Sequence, residues 1–81
     1  METAIKDILN VLGMGIYGIM PNCVDNWCGR LKSFFPSFQV VCTNNTDTEK
    51  VFTLSSSSDN MISIKYTLSG AHITSVDVYK V

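Results

Sequence analysis

Charged side chains are scarce in this chain, since only 16% of its 81 residues are Asp, Glu, Lys or Arg. The six basic residues are scattered singly along the sequence, and the formal net charge is −1. A protein that binds a phosphate backbone needs clustered Lys and Arg residues to release counterions. The composition therefore predicts no nucleic-acid binding.

Cysteine and histidine are also few. Three cysteines, Cys23, Cys28 and Cys42, cannot all pair within one molecule, and together with His72 they follow no zinc-ligand spacing. We predict free thiols, no metal and no cofactor. No residue stands in a pattern that would position His72 for acid-base chemistry, so we assign no catalytic residues and expect a protein that is not an enzyme.

The sequence lacks an apolar run long enough to cross a bilayer. Its longest such stretch, Ile8 to Met20, has about 13 residues, where a membrane-spanning helix needs about 20. Glu2, Lys6 and Asp7 give it no positively charged flank, and no small-x-small cleavage site follows it. We predict a buried helix face rather than a membrane span or a signal peptide, and hence a cytoplasmic protein.

The six residues Gly13 to Gly18 match the G-x-G-x-x-G pattern of dinucleotide-binding loops. That loop must follow a strand and open a helix, and here Pro21 interrupts any helix that would follow. Close packing of a helix, or a bend between two helices, is the prediction for this segment.

The first half of the chain repeats its apolar residues at helical spacing. One stripe predicts a helix from about Thr3 to Met20, with a bend or break after Leu12, where the glycines begin. A second predicts a helix capped by Asn22, with Asp25 in its first turn and Pro36 beyond its end. The first stripe is Ile5, Ile8, Leu9, Leu12, Ile16 and Ile19, and the second is Val24, Trp27, Cys28, Leu31 and Phe34.

From Phe38 onward the apolar period changes from 3.6 to 2, and turn-forming clusters separate four segments. The predicted strands are Phe38 to Thr43, Lys50 to Ser56, Met61 to Leu68 and Ile73 to Lys80. Alternation puts Phe52, Leu54, Ile62, Ile64, Tyr66, Leu68, Val76 and Val78 on the inward face, and Ser63, Lys65, Thr67, Ser75 and Asp77 on the outward face. The predicted fold class is α+β: one domain, residues 1–81, with a helical layer (1–35) packed on a four-stranded antiparallel meander (38–81).

The segment Leu68 to Tyr79 resembles the closing hairpin of small cystatin-like or nuclear-transport-factor-like domains. Gln39 to Thr43 resembles the Q-x-V-x-G loop with which cystatins plug cysteine-protease clefts. The closing glycine of that loop is absent and the segment is predicted as a strand, so no inhibitory residues are assigned.

These observations favour a non-enzymatic protein-interaction module, of viral or mobile-element origin, that binds a protein partner or itself. Two short helices and one sheet face cannot cover every apolar stripe, which predicts a homo-oligomer. The candidate interface residues are Trp27, for which core packing is the favoured alternative, and Val41, Val51, Ile73 and Tyr79, which are predicted on the outer face of the sheet.

Two other hypotheses belong to different classes. One is a small-molecule-binding or enzymatic domain with a pocket between helices and sheet, using His72 or Asp77. The other is a membrane-active N-terminal segment, which requires that the first helix be exposed rather than packed.

Overall fold

The computed structural model describes residues 2–20, 24–57 and 61–80. Two helices precede a sheet whose strands lie in the order β1-β2-β3-β4, with all neighbours antiparallel. Helix α1 packs against β4 and helix α2 packs against β1, so both helices cover the same face. The predicted α+β meander is confirmed, with α1 at Glu2–Val11, α2 at Val24–Phe34, β1 at Gln39–Asn45, β2 at Glu49–Ser55, β3 at Met61–Ser69 and β4 at His72–Lys80.

Helix α1 ends at Val11, so the prediction of a helix continuing to Met20 is wrong beyond the expected break at Leu12. Gly13 has a φ of +74°, a left-handed conformation that glycine adopts without a steric penalty. The predicted cap of the second helix, Asn22, lies outside the described residues.

Two backbone hydrogen bonds close the end of α1. The N–H of Gly13 donates to the carbonyl of Asn10 at 3.2 Å, and the N–H of Met14 donates to the carbonyl of Leu9 at 2.8 Å. This pair of bonds is the Schellman motif, which satisfies carbonyls that the end of a helix would leave unpaired. Leu9 and Met14 are both fully buried, so the motif also directs the chain back onto the core.

The chain after α1 runs beside the start of β4. Ile73 receives a hydrogen bond from the Tyr17 N–H at 3.2 Å and donates its own N–H to the carbonyl of Gly18 at 2.9 Å, and the Met20 N–H donates to Ala71 at 2.8 Å. A Cβ on Gly18 would lie 2.7 Å from the carbonyl oxygen of Gly13, so the tight loop after α1 requires glycine at this position. The motif from Gly13 to Gly18 follows a helix, whereas a dinucleotide-binding loop follows a strand. Its glycines allow the chain to reverse direction and to pack closely.

An aromatic cluster forms the centre of the core. Trp27 from α2 meets the ring of Tyr66 edge to face with centroids 5.8 Å apart, and Tyr66 meets Phe52 in the same way at 5.8 Å. The Arg30 guanidinium lies over Trp27 at 5.2 Å and donates to the carbonyl of Leu12 at 3.1 Å, which ties α2 to the end of α1. All of the strand residues predicted to face inward are buried or half-buried.

Ile73 is an exception to the predicted alternation. It was predicted on the outer face, but it is 2% exposed and belongs to the core. Between the pairs Thr67–Ser75 and Leu68–Ile73 the register shifts, so Thr74 has no paired residue opposite it on β3, although its hydroxyl donates to the carbonyl of Thr67 at 3.1 Å. A bulge of one residue reverses the facing of every position before it, which turns Ile73 inward.

Replacement of Trp27 by alanine should destabilise the fold by about 3 to 5 kcal/mol, because the largest buried side chain would leave a cavity at the centre of the core. Urea unfolding followed by circular dichroism measures this loss. Phe34→Ala on the same helix is the matched control, and it should cost less because 45% of Phe34 is already exposed, against 0% of Trp27. A Trp27→Ala protein as stable as the control would contradict the core assignment.

Candidate functional site

Apolar side chains are exposed mainly in the N-terminal part of the chain. Five of the nine large apolar residues that are exposed in the described part fall within twelve positions. The prediction of a continuously buried helix face is therefore wrong here, because the helix ends before it reaches three of them. We call this set the N-terminal apolar surface; its members are Ile8, Val11, Ile16, Tyr17 and Ile19.

Tyr17 is the most exposed member of this surface, with 93% of its side chain accessible. Its φ is +72°, and no other residue with a side chain has a positive φ in the described ranges. The left-handed conformation costs a residue of this kind on the order of 1 to 2 kcal/mol. The backbone N–H of Tyr17 bonds to Ile73, but its exposed ring recovers nothing by burial. A backbone outlier whose side chain stabilises nothing in the fold motivates a hypothesis of function.

The outer face of the sheet carries less apolar surface than predicted. Val41 and Tyr79 are exposed, and Val51 is half-buried. Val41 on β1 and Tyr79 on β4 are the two ends of one row of paired residues that crosses the sheet, and Thr53 and Ser63 lie between them in that row. The hydroxyls of Thr53 and Ser63 lie 3.4 Å apart, so a polar strip divides the two apolar residues. They do not form one patch.

Trp27 and Ile73 are both buried within a single chain, which removes them from the candidate interface. The structure likewise does not bring His72 and Asp77 together. They stand five positions apart along β4, a separation of roughly 15 Å in an extended strand. The hypothesis of a pocket that uses His72 or Asp77 does not require the two residues to meet, and it stays a prediction.

The described thiols are free and half-buried, Cys28 on α2 and Cys42 on β1, and Cys23 lies outside the described residues. Burial raises the pKa of the Cys28 thiol, and the nearby Cys42 and Asp25 raise it further. A raised pKa lowers the fraction of thiolate, the form that attacks electrophiles and binds metals. Within residues 2–20, 24–57 and 61–80, no three His, Cys, Asp or Glu side chains are grouped as a metal site would require.

Two buried polar atoms at the core lack a hydrogen-bond partner of good geometry among the described groups: the indole Nε1 of Trp27 and the hydroxyl of Tyr66. Burial raises the pKa of Tyr66, while the Trp27 indole N–H and the Arg30 guanidinium act in the opposite direction. Burying a polar group without a hydrogen bond costs about 1 to 3 kcal/mol. The indole N–H of Trp27 is near enough to act on the Tyr66 hydroxyl, but it does not meet the geometry of a good hydrogen bond. We therefore expect the hydroxyl to lower the stability of the fold and the ring to raise it.

A cavity of about 300 Å³ opens at the end of the sheet where the β1–β2 and β3–β4 turns meet the residues after α1. Lys50 stands at this cavity and is only 9% exposed, on the same face of β2 as Phe52. Its ammonium group donates hydrogen bonds to the side-chain oxygen of Asn45 and to the carbonyl of Thr46. We call this the Lys50 cavity; its lining residues are Met20, Asp47, Thr48, Lys50, Leu68 and Gly70.

The sequence contained a signal for Lys50 that the predictions did not use. Strand alternation that turns Phe52 and Leu54 inward must also turn Lys50 inward, because all three are spaced by two residues. Lysine is almost never fully buried unless it is paired. A lysine at an inward position of a predicted strand therefore predicts polar partners beside it, which for Lys50 are Asn45 and Thr46.

Comparison of the chain with protein-family models, with curated proteins and with solved structures gives no match. Neither of the two described helices, which have 10 and 11 residues, is long and apolar enough to cross a bilayer. Any function must therefore be argued from the residues themselves.

Tyr66→Phe should raise the free energy of unfolding by about 1 kcal/mol at neutral pH, because it removes a buried hydroxyl without a partner. Since the folded chain holds the Tyr66 proton more tightly than an unfolded chain does, the wild type should lose stability as the pH rises above about 10. The variant lacks this loss, so its advantage should widen there.

Urea midpoints of both proteins across the alkaline range measure the effect. Tyr79→Phe, which removes an exposed hydroxyl, is the control and should match the wild type. A Tyr66→Phe protein less stable than the wild type at neutral pH would show that the hydroxyl is well paired.

Proposed function

We propose that this chain is a non-enzymatic protein-interaction module that self-associates through the N-terminal apolar surface. The observation that carries the proposal is Tyr17, a fully displayed aromatic residue held in a costly backbone conformation. Tyrosine is one of the residues that most often supply binding energy at protein interfaces. The neighbouring Ile16 and Ile19 extend the apolar area around it.

A second copy of the chain is the partner that the charges and topology favour. A net charge of −1 gives only weak repulsion between copies. Strand β4 lies at the edge of the sheet, and in the described part of the chain its outer side is paired only near its start, through the Ile19–His72 bridge and the adjacent backbone bonds. An edge strand with a free side is a template for another strand.

Two copies of β4 can pair antiparallel about a two-fold axis. This pairing places the free edge of β4 and the exposed Tyr17 in one interface. The axis lies near Asp77, the middle of the free part of the strand, so the start of β4 in one copy meets the end of β4 in the other. Tyr17 is bonded to Ile73 at the start of β4, and Tyr79 stands near its end. Each copy then contributes Tyr17 next to Tyr79 of its partner, and a closed dimer forms. We place this module in the cytoplasm, where thiols such as Cys28 and Cys42 stay reduced.

The Tyr17→Asn variant separates association from folding. Asparagine tolerates the left-handed conformation and removes the ring, so the monomer should be at least as stable as the wild type. The dimer dissociation constant, measured by sedimentation equilibrium at micromolar concentrations, should rise more than tenfold. Phe34→Ala removes an exposed aromatic residue outside the surface and should leave association unchanged.

Hydrogen exchange locates the interface independently. Backbone amides on the free side of β4, from Thr74 to Lys80, should become more protected as the protein concentration rises, because pairing covers them. A wild-type protein that is strictly monomeric at micromolar concentration would overturn the proposal. So would a dimer that Tyr17→Asn leaves intact.

A further inference from the structure

Lys50 occupies a position where the fold alone would favour an apolar residue. Its neighbours on the same face of β2, Phe52 and Leu54, are fully buried. Removing an ammonium group from water is costly, and an opposite charge nearby is the usual compensation. Both hydrogen-bond acceptors of Lys50 are neutral, and the ion pair found among the described residues joins a different lysine, Lys65, to Glu49. Neither of the two hydrogen bonds therefore neutralises the charge of Lys50.

The ammonium group also has donor capacity to spare. It carries three N–H donors, of which Asn45 and Thr46 take two. No acceptor among the described residues takes the third, and a carboxylate makes the strongest such bond because it also supplies an opposite charge. A carboxylate bound at Lys50 satisfies both requirements.

The other residues that line the Lys50 cavity indicate which class of ligand it can bind. Asp47 lines it and makes no ion pair within the described residues, so a negative charge stands in the same cavity as the positive one. Met20 and Leu68, both buried, supply an apolar wall. A volume of about 300 Å³ is at the lower limit for ligand pockets, which suits a very small molecule.

We propose that the Lys50 cavity binds a small zwitterion of the α-amino-acid class with an apolar side chain. Its carboxylate pairs with Lys50, its ammonium group pairs with Asp47, and its side chain packs against Met20 and Leu68. An anion alone would face the Asp47 carboxylate, and a cation alone would leave Lys50 unneutralised. Tyr17 does not line this cavity, so ligand binding can be tested separately from self-association.

Three probes of similar size test the ligand class by NMR titration of the backbone amides. L-Leucine carries both charges, 4-methylpentanoate lacks the ammonium group, and isoamylamine lacks the carboxylate. Leucine should shift the amides that line the cavity, and each single-charge analogue should bind at least tenfold more weakly. If 4-methylpentanoate binds as tightly as leucine, or if leucine shifts no lining amide at millimolar concentration, the proposal is wrong.

Variants assign the contacts. Lys50→Met keeps the chain length, removes the charge and should weaken leucine binding at least tenfold. Lys65→Met, on the outer face of the next strand, is the matched control and should leave binding unchanged. Asp47→Asn, at an exposed position between β1 and β2, should reduce the preference for leucine over 4-methylpentanoate. Leucine binding that survives Lys50→Met, or an unchanged preference in Asp47→Asn, would overturn the proposal.

Discussion

The edge-to-face contact between Trp27 and Tyr66 is the interaction on which the rest of the structure depends. It joins helix α2 to the middle of the sheet, and the Tyr66–Phe52 contact extends it to β2. Arg30, stacked on the same indole, reaches the end of α1 and so links the second helix to the first. A domain of this size has few other buried contacts to spare, and the stability of the helical layer follows from this cluster.

The same smallness explains why function and folding compete for residues. Two short helices cover one face of the sheet, and their apolar residues are divided between a core that the chain can fill and a surface that it cannot. Lys50 is the opposite case: there a charged side chain, rather than an apolar one, occupies a buried position beside the core. Positions that break a local rule of folding, such as the left-handed Tyr17 and the buried Lys50, are the ones most informative about function.

Sequence reasoning predicted the sheet well because each strand carries a two-residue period, and it predicted α2 from its apolar stripe and flanking residues. Sequence reasoning predicted a bend or break after Leu12, but it did not predict that no helix follows Gly13. The path of a chain after a helix depends on where the following residues pack. It placed Ile73 on the wrong face, since the bulge at Thr74 is set by pairing with β3 and leaves no periodic trace. The Lys50 cavity is formed by the β1–β2 turn, the β3–β4 turn and the residues after α1. The sequence alone does not show that these three segments lie together.

The attachment of the N-terminal segment to β4 sets a condition on how the chain acquires its structure. Residues 17–20 bond to residues 71–73, and α1 packs on the last strand, so these contacts join parts of the chain that are more than fifty positions apart. Contacts of such large separation raise the contact order and slow folding, because a long loop must close before they form. During synthesis on the ribosome, the first helix has no surface to pack against until β4 has left the exit tunnel. Three residues that are buried in the folded chain, Ile5, Leu9 and Met14, are therefore exposed until the meander is complete. Rapid completion of the meander protects them from contact with other chains.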